Sequence, residues 1–75
     1  MEPTRTINAD GTQEWAVNGQ YHRLNGPAYI RTDGTRAWWV RDQEITQEVK
    51  AWMIDRNVTW PWDEDTQIQF LLAWS

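Results

Sequence analysis

The groups in this chain that could do chemistry are few and scattered. His22, the only histidine, stands beside Arg23. It is the one side chain whose ordinary pKa suits proton transfer near neutrality. No second histidine or cysteine lies at metal-ligand spacing. Ser75 is the only serine and is the last residue, which argues against a serine nucleophile, and there is no cysteine to act as one. No glycine-rich phosphate loop is present. Carboxylate pairs can hydrolyse sugars, but Asp10 and Asp33 each precede a glycine and read as turn formers, and the pattern singles out no partner for Glu14 or Glu44. Asp63, Glu64 and Asp65 are adjacent at a helix start. Three such acids do not converge on one point, so they read as a cap and as partners of the helix dipole. This inventory predicts no enzyme activity, no metal and no cofactor.

What remains is suited to contact. The chain holds 7 tryptophans in 75 residues: Trp15, Trp38, Trp39, Trp52, Trp60, Trp62 and Trp74. Each can bury roughly 200 Å². In a domain this short, and without disulfides, they can fill the core in place of many aliphatic residues. Tryptophan is also enriched among binding hot spots, so some of them can instead face a partner. The candidate anchors are Trp39, Trp60, Trp62 and Trp74, with Arg31, Arg36 and Arg41 or the acidic helix start at the rim. The net charge is −4, divided as −1 over residues 1–45 and −3 over 46–75. Nucleic-acid binding through phosphates needs a basic stripe, so that partner class is disfavoured. Single-stranded nucleic acid stacking on the tryptophans is a weaker third reading. No apolar run reaches the ~20 residues of a membrane span. No secretory leader is recognisable, so a cytoplasmic location is expected.

The elements that would position these side chains follow from an internal period of 23 residues. Ile7-Asn8-Ala9-Asp10-Gly11-Thr12 is echoed by Ile30-Arg31-Thr32-Asp33-Gly34-Thr35, Trp15 by Trp38 and Val17 by Val40. Such a period means stacked supersecondary units within one domain. Asp10-Gly11, Asn18-Gly19 and Asp33-Gly34 are turn signals. The segments between them predict an antiparallel meander of about six short strands, near 4–8, 13–17, 20–23, 28–31, 36–40 and 43–45. Alternation puts Ile7, Trp15, Val17, Ile30, Trp38 and Val40 on the core face. Glu14, Ala16, Tyr29, Arg31, Ala37, Trp39 and Arg41 fall on the other face. Trp39 replaces Ala16 there, so either the C-terminal segment covers it or it is exposed.

After Ile45 the period becomes helical, which makes the fold class α+β: a sheet over residues 1–45, then a helical segment over 46–75. Thr46 is the expected N-cap of the first helix, with Val49, Trp52 and Met53 inward and Asn57 as its stop. Val58 to Trp62 forms an extended connector, and Asp63 caps the second helix. Ile68, Leu71, Leu72 and Ser75 share one face of that helix, and Phe70, Ala73 and Trp74 widen its apolar surface. The helix is either wedged between sheet and first helix or partly an association surface.

The run His22-Arg23-Leu24-Asn25-Gly26-Pro27-Ala28, with Asn18-Gly19-Gln20 before it and Asp33-Gly34 to Trp38 after it, resembles the repeat of small MORN-like proteins of tailed phages and some bacteria. That repeat reads approximately W-x-x-N-G-x-x-H-R-x-D/N-G-P-A. The likeness covers about residues 7–45, and only one full copy of the motif is present. The resemblance implies that His22 and Arg23 bond the Asn25-Gly26 turn and that Pro27 opens the next strand, all structural roles. It also implies a phage-encoded accessory protein in the host cytoplasm. The leading expectation is therefore a protein–protein interaction module that binds a host factor, such as a defence or transcription component, and inhibits or redirects it. The alternative is a homo-oligomer serving as scaffold or minor virion component.

Overall fold

The computed structural model describes residues 2–75. Seven short strands precede two helices: β1 (Thr4–Ile7), β2 (Gln13–Val17), β3 (Gln20–Tyr21), β4 (Tyr29–Ile30), β5 (Arg36–Ala37), β6 (Trp39–Val40), β7 (Gln43–Glu44), α1 (Thr46–Arg56) and α2 (Glu64–Trp74). The expected α+β architecture is present, with two differences in the meander. The long fifth strand is divided at Trp38 into β5 and β6, and the strands form two sheets. One sheet runs β1-β2-β4-β5, with β3 also paired to β2, and the other is the β6-β7 hairpin. All pairs are antiparallel.

The 23-residue period is carried into backbone pairing. Ile7 opposite Gln13 recurs as Ile30 opposite Arg36, and Val17 opposite Gln20 recurs as Val40 opposite Gln43. The loops repeat as well. The Thr12 N–H donates to Asp10 Oδ1 at 3.0 Å, and the Thr35 N–H to Asp33 Oδ1 at 2.9 Å. The His22 N–H donates to the Trp15 carbonyl, and the Ile45 N–H to the Trp38 carbonyl. Asn18-Gly19 turns with φ of 52° and 78°, and Arg41-Asp42 occupies the same two-residue turn with φ of 53° and 64°. Both are left-handed pairs of the type that matches strand twist. The second turn holds that geometry without a glycine.

The units meet where β2 offers one edge to two partners. Near its end it pairs with β3, and near its start with β4; at the seam the Trp15 N–H donates to the Ala28 carbonyl at 2.9 Å. Among the described residues the second unit has no following strand on that edge. There the Trp38 N–H donates instead to the Thr46 hydroxyl at 3.1 Å, and that hydroxyl donates to Glu44 Oε2 at 2.9 Å. Thr46 was expected to cap α1. The boundary residue is Ile45, no side chain caps that end, and the hydroxyl completes the sheet edge instead. A buried amide without a partner costs more than an open helix end that water can reach. At the other end of α1, Asn57 adopts the expected left-handed conformation, and the Val58 N–H closes on the Met53 carbonyl at 3.0 Å. Asp63 caps α2 as expected, accepting from the Thr66 N–H at 2.8 Å.

The core lies under the second unit. Trp38, Val40, Ile45, Val49, Trp62 and Phe70 form the buried cluster, ringed by Leu24, Trp52, Met53, Trp60 and Trp74. Trp38 stacks on Trp62 with centroids 6.0 Å apart, and Trp62 packs on Phe70 at 4.9 Å. Of the six side chains expected in the sheet core, Trp38 and Val40 are buried; Trp15, Val17 and Ile30 are half-buried, and Ile7 is 58% exposed. The helices pack mainly over the second unit; of the first unit Leu24 reaches the rim of the core, and its other apolar side chains are covered only in part or, at Ile7, left exposed. The expected face of α2 also needs correction. Thr66 and Phe70 are buried and Trp74 half-buried, while Ile68, Leu71 and Leu72 point outward. Aromatic rings stacked at i and i+4, with Phe70 and Trp74 centroids 4.7 Å apart, bury more area than the aliphatic stripe.

Candidate partner-binding surfaces

Arg23 organises the side of the first unit that faces the helical segment across an open groove. Its guanidinium lies 3.9 Å from the centroid of the Trp15 ring and 5.9 Å from that of Trp60. Nε donates to Asn25 Oδ1 at 3.0 Å, and a terminal nitrogen donates to the Pro27 carbonyl at 2.9 Å. Arg23 thus bonds the Asn25-Gly26-Pro27 turn as the motif implies. His22 does not. Its Nδ1 accepts from the Arg41 N–H at 3.0 Å, fastening the first unit to the second unit's turn. That bond requires an unprotonated Nδ1. Burial, and then the nearby Arg41 charge, push the imidazole pKa below its usual range. Gly26 is buried against Trp60 so closely that a Cβ there would lie 2.5 Å from the Trp60 ring. Glycine at this position is what lets the connector approach the first unit.

Two open grooves flank the helical layer. The first, of about 540 Å³, runs between the first unit and α2, with Trp15, Leu24, Ile68 and Leu71 as its apolar lining and Glu2, His22, Arg23 and Glu64 among its polar groups. The second, of about 480 Å³, runs between β5 and α1. Met53, Ile54, Val58 and Trp60 supply apolar surface there over a floor formed by the buried Trp38, and Arg36 and Lys50 are its only ionisable lining residues. Ile54 is 81% exposed above it.

The structure brings together only part of the set chosen from sequence. Trp60 and Arg36 line the same groove. Trp39 and Arg31 lie on the other face of the sheet, linked through tyrosines: Trp39 to Tyr21 at 5.2 Å, Tyr21 to Tyr29 at 6.0 Å, and Arg31 over Tyr29 at 5.9 Å. The helices cover Trp38, while Trp39 rests on Tyr21. Tyr21 also donates to Glu14 at 2.6 Å, which pushes the phenol up to about 12 and holds the Glu14 carboxyl below its usual range. Trp62 is buried in the core, and its indole N–H donates to the Met53 sulfur at 3.3 Å, so it is not available as an anchor. Trp74 packs on Trp52 and Phe70 at the core's edge. Arg41 stands apart at its turn, exposed. Sequence reasoning passed over Ile54 and Lys50. Ile54 breaks the polar face of α1, which was a legible signal; Lys50 carried none.

Among the described residues no group of three or more His, Cys, Asp or Glu is placed to hold a metal ion. No helix is long and apolar enough to cross a membrane. No family model, curated protein or solved structure matches this chain, so the MORN-like likeness rests on the motif residues themselves.

Proposed function

We propose that this chain is a small non-enzymatic accessory protein, phage-encoded as its motif implies, that binds a host protein and blocks or redirects it. The observation that carries this reading is the groove between β5 and α1. It combines the half-buried Trp60, an exposed isoleucine and two cations, a composition typical of protein-recognition surfaces. A second reading has its own support. Ile68 and Leu72, 51% and 76% exposed, leave α2 with an apolar outer side that self-association would cover.

Capture from host lysate separates the two. The wild-type chain is compared with Ile54→Asp in the groove and with Ile68→Asp/Leu72→Asp on α2. Loss of a specific partner with the first variant and retention with the second is expected. Equal recovery by all three forms would remove the groove from the proposal. A mass that rises with concentration, and falls back in the α2 variant, would favour the oligomeric reading.

A further inference from the structure

We infer that the groove between β5 and α1 is a strand-docking site for an extended segment of a partner protein that carries both large apolar side chains and carboxylates. This rests on the interaction reading above and specifies its ligand. The first support is the repeat. In the first unit the edge of β2 at Gln13 and Glu14 is filled by Ile30 and Tyr29 of β4. One period later the same edge lies at Arg36 and Ala37, and β5 ends its sheet with no strand beyond it among the described residues. The space belongs to α1, whose Met53 stands one period after Ile30. A helix with its side chains is about 10 Å across, whereas a paired strand lies about 4.8 Å away. The helix therefore cannot close on the edge as β4 does, and a gap of about 480 Å³ remains. An unpaired edge beside apolar surface is the geometry that strand addition uses.

Charge decides what the added strand carries. The chain is acidic overall, yet the groove's ionisable lining is Arg36 and Lys50, with no carboxylate. Arg36 stands beside the exposed side of Trp60 and Lys50 one turn before Ile54, so a segment that carries both large apolar side chains and carboxylates can meet Ile54 and Trp60 together with the two cations. A second copy of this chain is a poor occupant: its edge strand β1 brings Arg5 and no carboxylate, and the Glu44 carboxylate of its edge strand β7 already accepts from the Thr46 hydroxyl. The docked segment is short, because Thr46 already holds the Trp38 N–H.

The test is an amide-resolved NMR titration of the full chain with three blocked six-residue peptides, alternating isoleucine with glutamate, with lysine or with glutamine. The glutamate peptide is expected to shift the amides of Thr35–Ala37, Met53 and Val58–Trp60 and to weaken with added salt. The lysine peptide is expected to leave them unmoved. In Arg36→Glu/Lys50→Glu, both exposed positions, the glutamate peptide should bind roughly tenfold more weakly and the lysine peptide should gain. Equal binding of all three peptides, no salt dependence, shifts confined to Ile68–Leu72, or concentration-dependent shifts of the groove without peptide would each overturn the inference. If lysate capture is lost in Ile54→Asp but the glutamate peptide does not bind, the interaction reading stands and this ligand falls.

Discussion

Trp15 and Trp38 hold the same place in two copies of one hairpin unit, and their surroundings have diverged. Each carbonyl accepts from the residue seven positions on, while the amides differ, Trp15 donating to the Ala28 carbonyl and Trp38 to the Thr46 hydroxyl. Trp15 is half-buried under the Arg23 guanidinium, while Trp38 is 2% exposed beneath Trp60 and Trp62. One unit is covered by a cation from its own turn, and the other by a hydrophobic layer supplied from 46–75. Local turn chemistry is enough to set the hairpin register, but the burial that stabilises it comes from outside the repeat. The fold therefore has a soft end and a hard end.

The sharpest way to break this comparison is to truncate both indoles. Trp38→Ala is expected to cost about 3–5 kcal/mol, most of what a domain of this size possesses, whereas Trp15→Ala should cost roughly half as much. Denaturant melts of the pair measure it, and equal losses would mean the units are energetically alike. Next, Thr46→Val leaves the Trp38 N–H buried without its acceptor, with an expected cost of about 1–3 kcal/mol. Slowed exchange of the Trp38 amide in wild type, lost in the variant, would locate the effect. A smaller gain should come from giving the second turn the first turn's residue. Arg41→Asn relieves a left-handed arginine and is expected to stabilise by about 0.5–1 kcal/mol. The smallest effect is the pH dependence of the link between units. The folded-state pKa of His22 lies below the ordinary 6.5, so its contribution is complete above that value and is lost as pH falls towards the folded pKa. Stability should slope downward on acidification just below 6.5, and His22→Asn should flatten that slope.

The repeat, its turns and the two helices were legible because each rests on local rules: Asp10-Gly11 and Asp33-Gly34 on positive φ, Asn57 and Asp63 on capping. The same rules extend to Arg41-Asp42, which looks unlike a hairpin turn until the offset aligns it with Asn18-Gly19. What local pattern could not give was which faces are covered. Ile7 and Ile30 carry the same alternation, yet only Ile30 has a unit beside it. The helical pattern of α2 left its aliphatic and aromatic sides equally eligible for the core, and ring stacking decided between them. Thr46 was misplaced for a related reason, since its partner Trp38 belongs to an edge that exists only in three dimensions. Two residues of the candidate groove, Arg36 and Trp60, were chosen from residue type. The rest depended on where α1 comes to rest.

The threonine hydroxyl that stands in for a missing strand makes chain length adjustable in whole steps. A duplicate of residues 23–45 spliced in ahead of Thr46 would present its own Ala28-equivalent carbonyl to Trp38, and the added copy's tryptophan would then meet Thr46. The connector's Trp60 would then meet the added copy's Arg23 and Gly26 in place of the originals, so the body could lengthen by one unit while the terminal segment met the same residue types.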